Sequence, residues 1–260
     1  MTIGFTNCNK DDDPFAGLQT SWFDGTITAQ VENGNAYNNF VKRVMTKVWD
    51  KNDNSTALAS APYANGGFTL TLPQTVEAEF LSPFDDDEFG SDLKISDKSA
   101  LLFGMGGYGD GDIGAYSSAS GDFDDNDRVG RVVFAKNEFE GNEETGTGTY
   151  IFASAGFIYA DRDVAIVGTV TWSDTWDGVT YTLIEKYSIS LKKGWNIMYA
   201  TSSSRYVNWE TQTTSENHFT TAPVSGLKWY GDMYNVYGSP AKQAKSVLER
   251  GLKRFGRLGR

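Results

Sequence analysis

Apolar and polar residues alternate with a period of two along much of this chain. Ile27, Ala29 and Val31 share one face of residues 25–31, and Val44, Thr46 and Val48 do so within residues 41–49. Phe68, Leu70 and Leu72 follow the turn pair Asn65-Gly66, and Asn33-Gly34 is a further turn signal. Such runs, bounded by Gly and Asn, predict half-buried antiparallel strands. The pattern resumes at residues 131–135 and 149–159, and residues 164–172 read as one long strand. Asp177-Gly178 has hairpin-turn chemistry, and Tyr181, Leu183, Glu185, Tyr187, Ile189 and Leu191 alternate as one face of the return strand. Lys193-Gly194 then turns into Trp195, Ile197 and Tyr199. These segments predict a β-meander, and the fold class is all-β.

Two stretches break the alternation. Leu101-Leu102-Phe103, a short strand candidate, runs into a glycine-rich segment at 104–114 that reads as a loop. Residues 239–260 predict a helix instead, with Ser239 as cap and Pro240 at the first position. Ala244, Val247, Leu248, Leu252, Phe255 and Leu258 fall on one side of it. Its seven basic residues stand against the single acid Glu249, so the tail carries +6 while the rest of the chain carries −17. A basic amphipathic helix either lies on an anionic membrane or packs its apolar side on the acidic body.

The net charge of −11 makes nucleic acid a poor partner, because an acidic body repels phosphates. Aromatic residues at 14% and hydrophobic residues at 39% are ample for packed cores. No apolar run approaches the length of a membrane-spanning helix.

Catalytic signatures are sparse. The one histidine, His218, lies in a Thr/Ser-rich stretch and reads as an exposed loop residue. With one cysteine and one histidine, a His/Cys zinc site is excluded. There is no Gly-x-Ser-x-Gly elbow and no phosphate-binding glycine loop ahead of a helix. Calcium is the sharper chemical reading. Asp122, Asp124, Asn126 and Asp127 alternate oxygen ligands as in the first half of a calcium loop. The competing reading is a solvated acidic loop, since residues 85–127 hold twelve acids against Lys94 and Lys98. Flat exposed rings stack on sugars, and Trp172, Trp176, Tyr206 and Trp209 lie near predicted turns. They are the candidates for a glycan platform.

The first residues suggest an address. The single cysteine, Cys8, precedes Lys10, Asp11, Asp12 and Asp13. That arrangement resembles the maturation point of a bacterial lipoprotein followed by the acidic export signal of Bacteroidota surface lipoproteins. The resemblance implies lipidation at Cys8, anchorage on the outer membrane at the cell surface, and a signal segment ahead of Met1. The competing reading is an incidental thiol. Asp24-Gly25-Thr26-Ile27, residues 44–50 and Gly66-Gly67-Phe68-Thr69-Leu70-Thr71-Leu72-Pro73 resemble the transthyretin-like or carboxypeptidase-regulatory-like β-sandwich. That likeness implies a spacer or binding module. Residues 159–164, 191–196 and 223–230 resemble segments of uncharacterised surface lipoproteins.

The chain accordingly divides into a leader and linker (1–19), a transthyretin-like sandwich (20–84), a second antiparallel β domain (85–238) and the basic tail (239–260). The expected function is non-enzymatic: adhesion, or binding of a ligand such as a glycan or a surface protein. The alternative is a carbohydrate-active hydrolase with paired carboxylates.

Overall fold

The computed structural model describes residues 13–49, 55–84, 92–105, 113–119, 127–142, 144–176, 179–207 and 210–233. The protein is all-β. Its strands are β1 (Thr26–Gln30), β2 (Arg43–Trp49), β3 (Ser55–Pro62), β4 (Gly67–Thr71), β5 (Ser82–Pro83), β6 (Lys94–Ile95), β7 (Leu101–Met105) and β8 (Ile113–Tyr116). The longer strands follow: β9 (Arg128–Asn142), β10 (Thr147–Ala160), β11 (Val164–Trp176), β12 (Val179–Leu191), β13 (Gly194–Val207) and β14 (Glu210–Thr220). The last is β15 (Lys228–Met233). The tail predicted to be helical lies outside the described residues.

Local chemistry accounts for the small elements. In β1, Ile27 and Ala29 turn inward while Thr26, Thr28 and Gln30 face solvent. The β3–β4 turn is the expected Asn65-Gly66 pair, both at positive φ, flanked by reciprocal bonds between Ala64 and Gly67. That geometry suits the right-handed twist of the flanking strands.

The strands form a two-stranded sheet, β1–β4, and one large sheet running β3-β2-β8-β9-β10-β13-β14-β12-β11-β6. This sheet forks at β10. β9 accompanies β10 as far as Ala155, and from Phe157 onward β7 takes the same edge. The freed half of β9 pairs instead with β8 and β15. The fork leaves room for two cores. The larger is built from Leu70, Val44, Ile113, Phe157, Trp195 and their neighbours, and draws on strands from β1 to β15. Residues on both sides of position 84 therefore share one sheet, through β2 and β8, and one core. The smaller core lies on the opposite face of β10–β12, where Leu93 and Ala100 cover Ile166, Ile189 and Leu191.

β12 and β13 are not the neighbours a meander requires. β14 lies between them, antiparallel to β13 and parallel to β12. Below β14 the same slot holds residues 21–23, which bond to Trp195 and Ile197 of β13. The side chain of Asn196 explains how the short connection opens. Fully buried, it accepts from the Lys192 N–H and donates to the Lys192 and Gly194 carbonyls, supplying bonds an ordinary hairpin would find across the strands.

Candidate functional site: an open face on a single-layer sheet

Beyond the two cores, six strands continue together. Residues 136–142, 147–152, 171–176, 179–186, 201–207 and 210–218 belong to neither core. Pairing continues there beyond the described residues of both cores, and the three hairpin ends at 142–147, 176–179 and 207–210 lie at one end of the sheet.

Directly opposed residues share a face. Register therefore strings Trp172, Leu183, Ser215, Ser204, Tyr150 and Phe139 into one row across six strands. Five strand spacings make this row about 24 Å long. Its two ends are aromatic or apolar, and its centre is the Ser204–Ser215 hydroxyl pair, 3.2 Å apart. The next row toward the core carries Val170, Glu185, Asn217, Ser202, Phe152 and Asn137. The one after that is closed, with Tyr187 stacked on Phe219 at 5.1 Å and covered edge-on by Phe84.

Exposure in the outer rows is concentrated on the β11–β12 side. Among the described residues five large apolar side chains are exposed, and three of them are Trp172 (44%), Val179 (40%) and Tyr181 (38%). All three stand on this face of the β11–β12 hairpin. Exposed apolar groups gathered in one place mark interaction sites, whereas scattered ones do not. At the far side of the face, burial pushes the Tyr150 hydroxyl above its ordinary pKa, and neighbouring Tyr206 adds to the shift.

The opposite face is rich in hydroxyls and charge. Ser173–Thr182 and Thr175–Thr180 are paired hydroxyls at 3.2 and 3.0 Å. Lys186 and Glu216 pair at 2.7 Å. His218 belongs to β14, in register with Lys186 and Thr201, and is partly buried; the loop expected for it is a strand. A run as polar as Glu210–Thr220 gives no apolar period, because neither of its faces meets a core over most of its length.

The sequence candidates are placed as follows. Trp172 lies in the open row, and Tyr206, paired with Gly148, shares the face of Tyr150. The backbone pairs Trp176 with Val179. Trp209 lies outside the described residues, as do Cys8, Lys10, Asp11 and Asp12. Asp13 begins a short turn and accepts the Phe15 N–H. Asp122, Asp124 and Asn126 of the calcium reading are likewise outside, while Asp127 uses its carbonyl to accept from Ser117. Among the described residues, no group of three His, Cys, Asp or Glu side chains is arranged to hold a metal. Sequence reasoning missed Tyr150, Phe139 and Tyr181 as members of the open face. The available signal was the polar β14, which shows that an alternating neighbour need not be covered.

The carboxylates with clearly displaced pKa values lie at the other end of the sheet. Ser99 donates its hydroxyl and N–H to Asp97, holding it below the usual carboxylate range. Arg162 does the same to Asp161, which also accepts the Leu101 N–H. Lys192 lowers Asp163 through its ammonium, and Lys193 through its backbone N–H. These groups lock the β10–β11 and β12–β13 corners together.

No family model, curated protein or solved structure matches this chain. Fold and face together define its class: an all-β protein whose large sheet extends beyond the described residues of its two cores and carries an aromatic row there.

Proposed function

We propose that this is a non-enzymatic cell-surface lipoprotein that binds glycan on the open aromatic face. The observation that supports the reading best is the grouping of exposed Trp172 and Tyr181 on one face of the sheet. Rings fixed by a sheet need little ordering on binding, and hydroxyls and amides between them (Ser204, Ser215, Asn217) suit a polyhydroxylated ligand. The three displaced carboxylates move down, opposite to the shift a general acid needs. In this reading Cys8 carries the lipid, the run Lys10-Asp11-Asp12-Asp13 directs export to the outer-membrane surface, and the hairpin end faces outward.

Affinity electrophoresis in gels containing soluble neutral polysaccharides tests the glycan reading. Retardation of the native protein, reduced about tenfold or more in affinity by Trp172→Ala with the fold retained, is expected. Migration unchanged by every polysaccharide overturns it. The anchor is tested separately by fractionation: Cys8→Ala moves the protein from membrane to soluble fraction, and unchanged fractionation overturns the anchor.

A further inference from the structure

Among the described residues the outer part of the sheet has two edges without a paired strand, and they differ. On β9 the open stretch beyond β15 carries Lys136, Glu138 and Glu140. Charges on an edge are the usual guard against unwanted strand pairing. On β11 the stretch beyond β6 is Gly168-Thr169-Val170-Thr171-Trp172-Ser173-Asp174-Thr175-Trp176, with one charge, no lysine and no proline.

Which groups point outward follows from the chain's own bonds. Ser96 bonds to both the N–H and the carbonyl of Ala165, so Ala165 faces away from β12. The β11–β12 register runs unbroken from Val164 to Trp176. Outward residues alternate in an antiparallel strand. The backbone groups of Thr169, Thr171, Ser173 and Thr175 therefore turn to the open edge. The Thr175 N–H is already used by its neighbour's carboxylate, Asp174, at 2.8 Å. Thr169, Thr171 and Ser173 have no edge partner among the described residues, and Thr171 is their midpoint.

We infer that β11 pairs antiparallel with β11 of a second copy of this chain, about a two-fold axis at Thr171. Three features favour a second copy over another occupant. An incoming strand must be apolar on one face and hydroxylic on the other, which is the pattern β11 itself carries. Centred on Thr171, the pairing sets Trp172 opposite Val170 of the second copy, Ser173 opposite Thr169, and Asp174 opposite Gly168. No like charges meet on any rung, whereas the β9 edge presents Glu138 and Glu140 to an incoming strand that carries Asp174. Each of the three hydrogen-bonded pairs exchanges two bonds. An isologous contact of this kind closes at a dimer and does not propagate. The aromatic faces of the two copies become one continuous surface, with the Trp172 rings near its centre. The inference does not depend on what that surface binds.

Sedimentation equilibrium of the full chain over a wide concentration range tests it. The native protein is expected to reach twice 28.6 kDa. Thr171→Pro removes an outward N–H that the monomer does not use, so it should stay monomeric at every concentration with an unchanged circular dichroism spectrum. Ser173→Lys places a charge on the same edge and gives the same result should the proline variant misfold. A native monomer overturns the inference, whatever else the edge captures. So does a dimer that persists in a folded edge variant.

Discussion

The indole N–H of Trp195 donates to the carbonyl of Pro73 at 2.7 Å, tying β13 to the segment after β4 across 122 positions of sequence. The same ring meets Tyr159 edge-on at 5.5 Å and Phe103 at 6.3 Å. One side chain thus anchors the fork, where the β1–β4 sheet closes the larger core. Trp195→Phe keeps most of the packing and strands the carbonyl. A loss of about 1–3 kcal/mol is expected. Trp195→Ala should cost about 3–5 kcal/mol. Urea unfolding of the three proteins checks both values; equal midpoints for Phe and Trp would mean that the bond contributes nothing.

Asn196 is the second anchor. Its amide makes three bonds to the backbone of residues 192–194, and it is fully buried. Asn196→Ala leaves buried polar groups without partners, so destabilisation should exceed that of an ordinary surface substitution and reach about 1–3 kcal/mol or more. Because β14 and residues 21–23 occupy the slot it holds open, amide exchange in β14 should accelerate along with exchange in β12 and β13. Protection in β14 equal to that of the native protein would refute this account of the connection.

Acid should loosen the corner that Asp97, Asp161 and Asp163 hold. Their folded pKa values lie below the ordinary carboxylate value of about 3.9, so their contribution is fully present above that pH and is lost as pH falls through the folded values. Asp163 is solvent-exposed and Asp97 and Asp161 are partly so, which keeps the effect modest. Stability measured from pH 5 down to pH 2 should decline, and Asp161→Asn should flatten the decline. A curve identical to that of the native protein would show that Asp161 does not take part.

Gly168 is the point where the segment before β6 crosses β11. Its φ is +146°, and a Cβ there would meet the Asp92 carbonyl oxygen at 2.6 Å and Leu93 at 2.9 Å. Gly168→Ala is expected to cost about 1–3 kcal/mol and to lift Leu93 from the smaller core. Thermal unfolding of the variant checks this, and an unchanged midpoint would contradict the crossing geometry.

The strands legible in the sequence were those with a core on one side. Ile27 and Ala29, Leu70 and Leu72, and Ile189 and Leu191 each alternate because one face is covered. β14 and the end of β9 gave no such signal, since their residues, such as Thr214, Ser215 and Glu138, are polar and belong to neither core. β3, rich in Ala and Ser, has weak strand propensity and is held by pairing with β2. The insertion of β14 between β12 and β13 was illegible for another reason. Lys192 and Lys193 look like the turn of a hairpin, and nothing in a turn reports what passes between the strands it joins. Of the aromatic face, Trp172 and Tyr206 could be picked out near turns, but the row that joins Trp172 to Tyr150 needs four strand registers, which no local pattern contains.

The thin end of the sheet also sets how this protein responds to temperature. Its backbone groups are bonded as in any sheet, yet among the described residues it packs into neither core, so unfolding it uncovers less apolar surface than unfolding a core does. Heat-capacity change follows newly exposed apolar area, and ordinary domains gain about 12–15 cal/mol/K per residue. This chain should fall short of that figure. Its stability curve is then broad and shallow, with cold costing it less than it costs a protein of equal length folded wholly around a core.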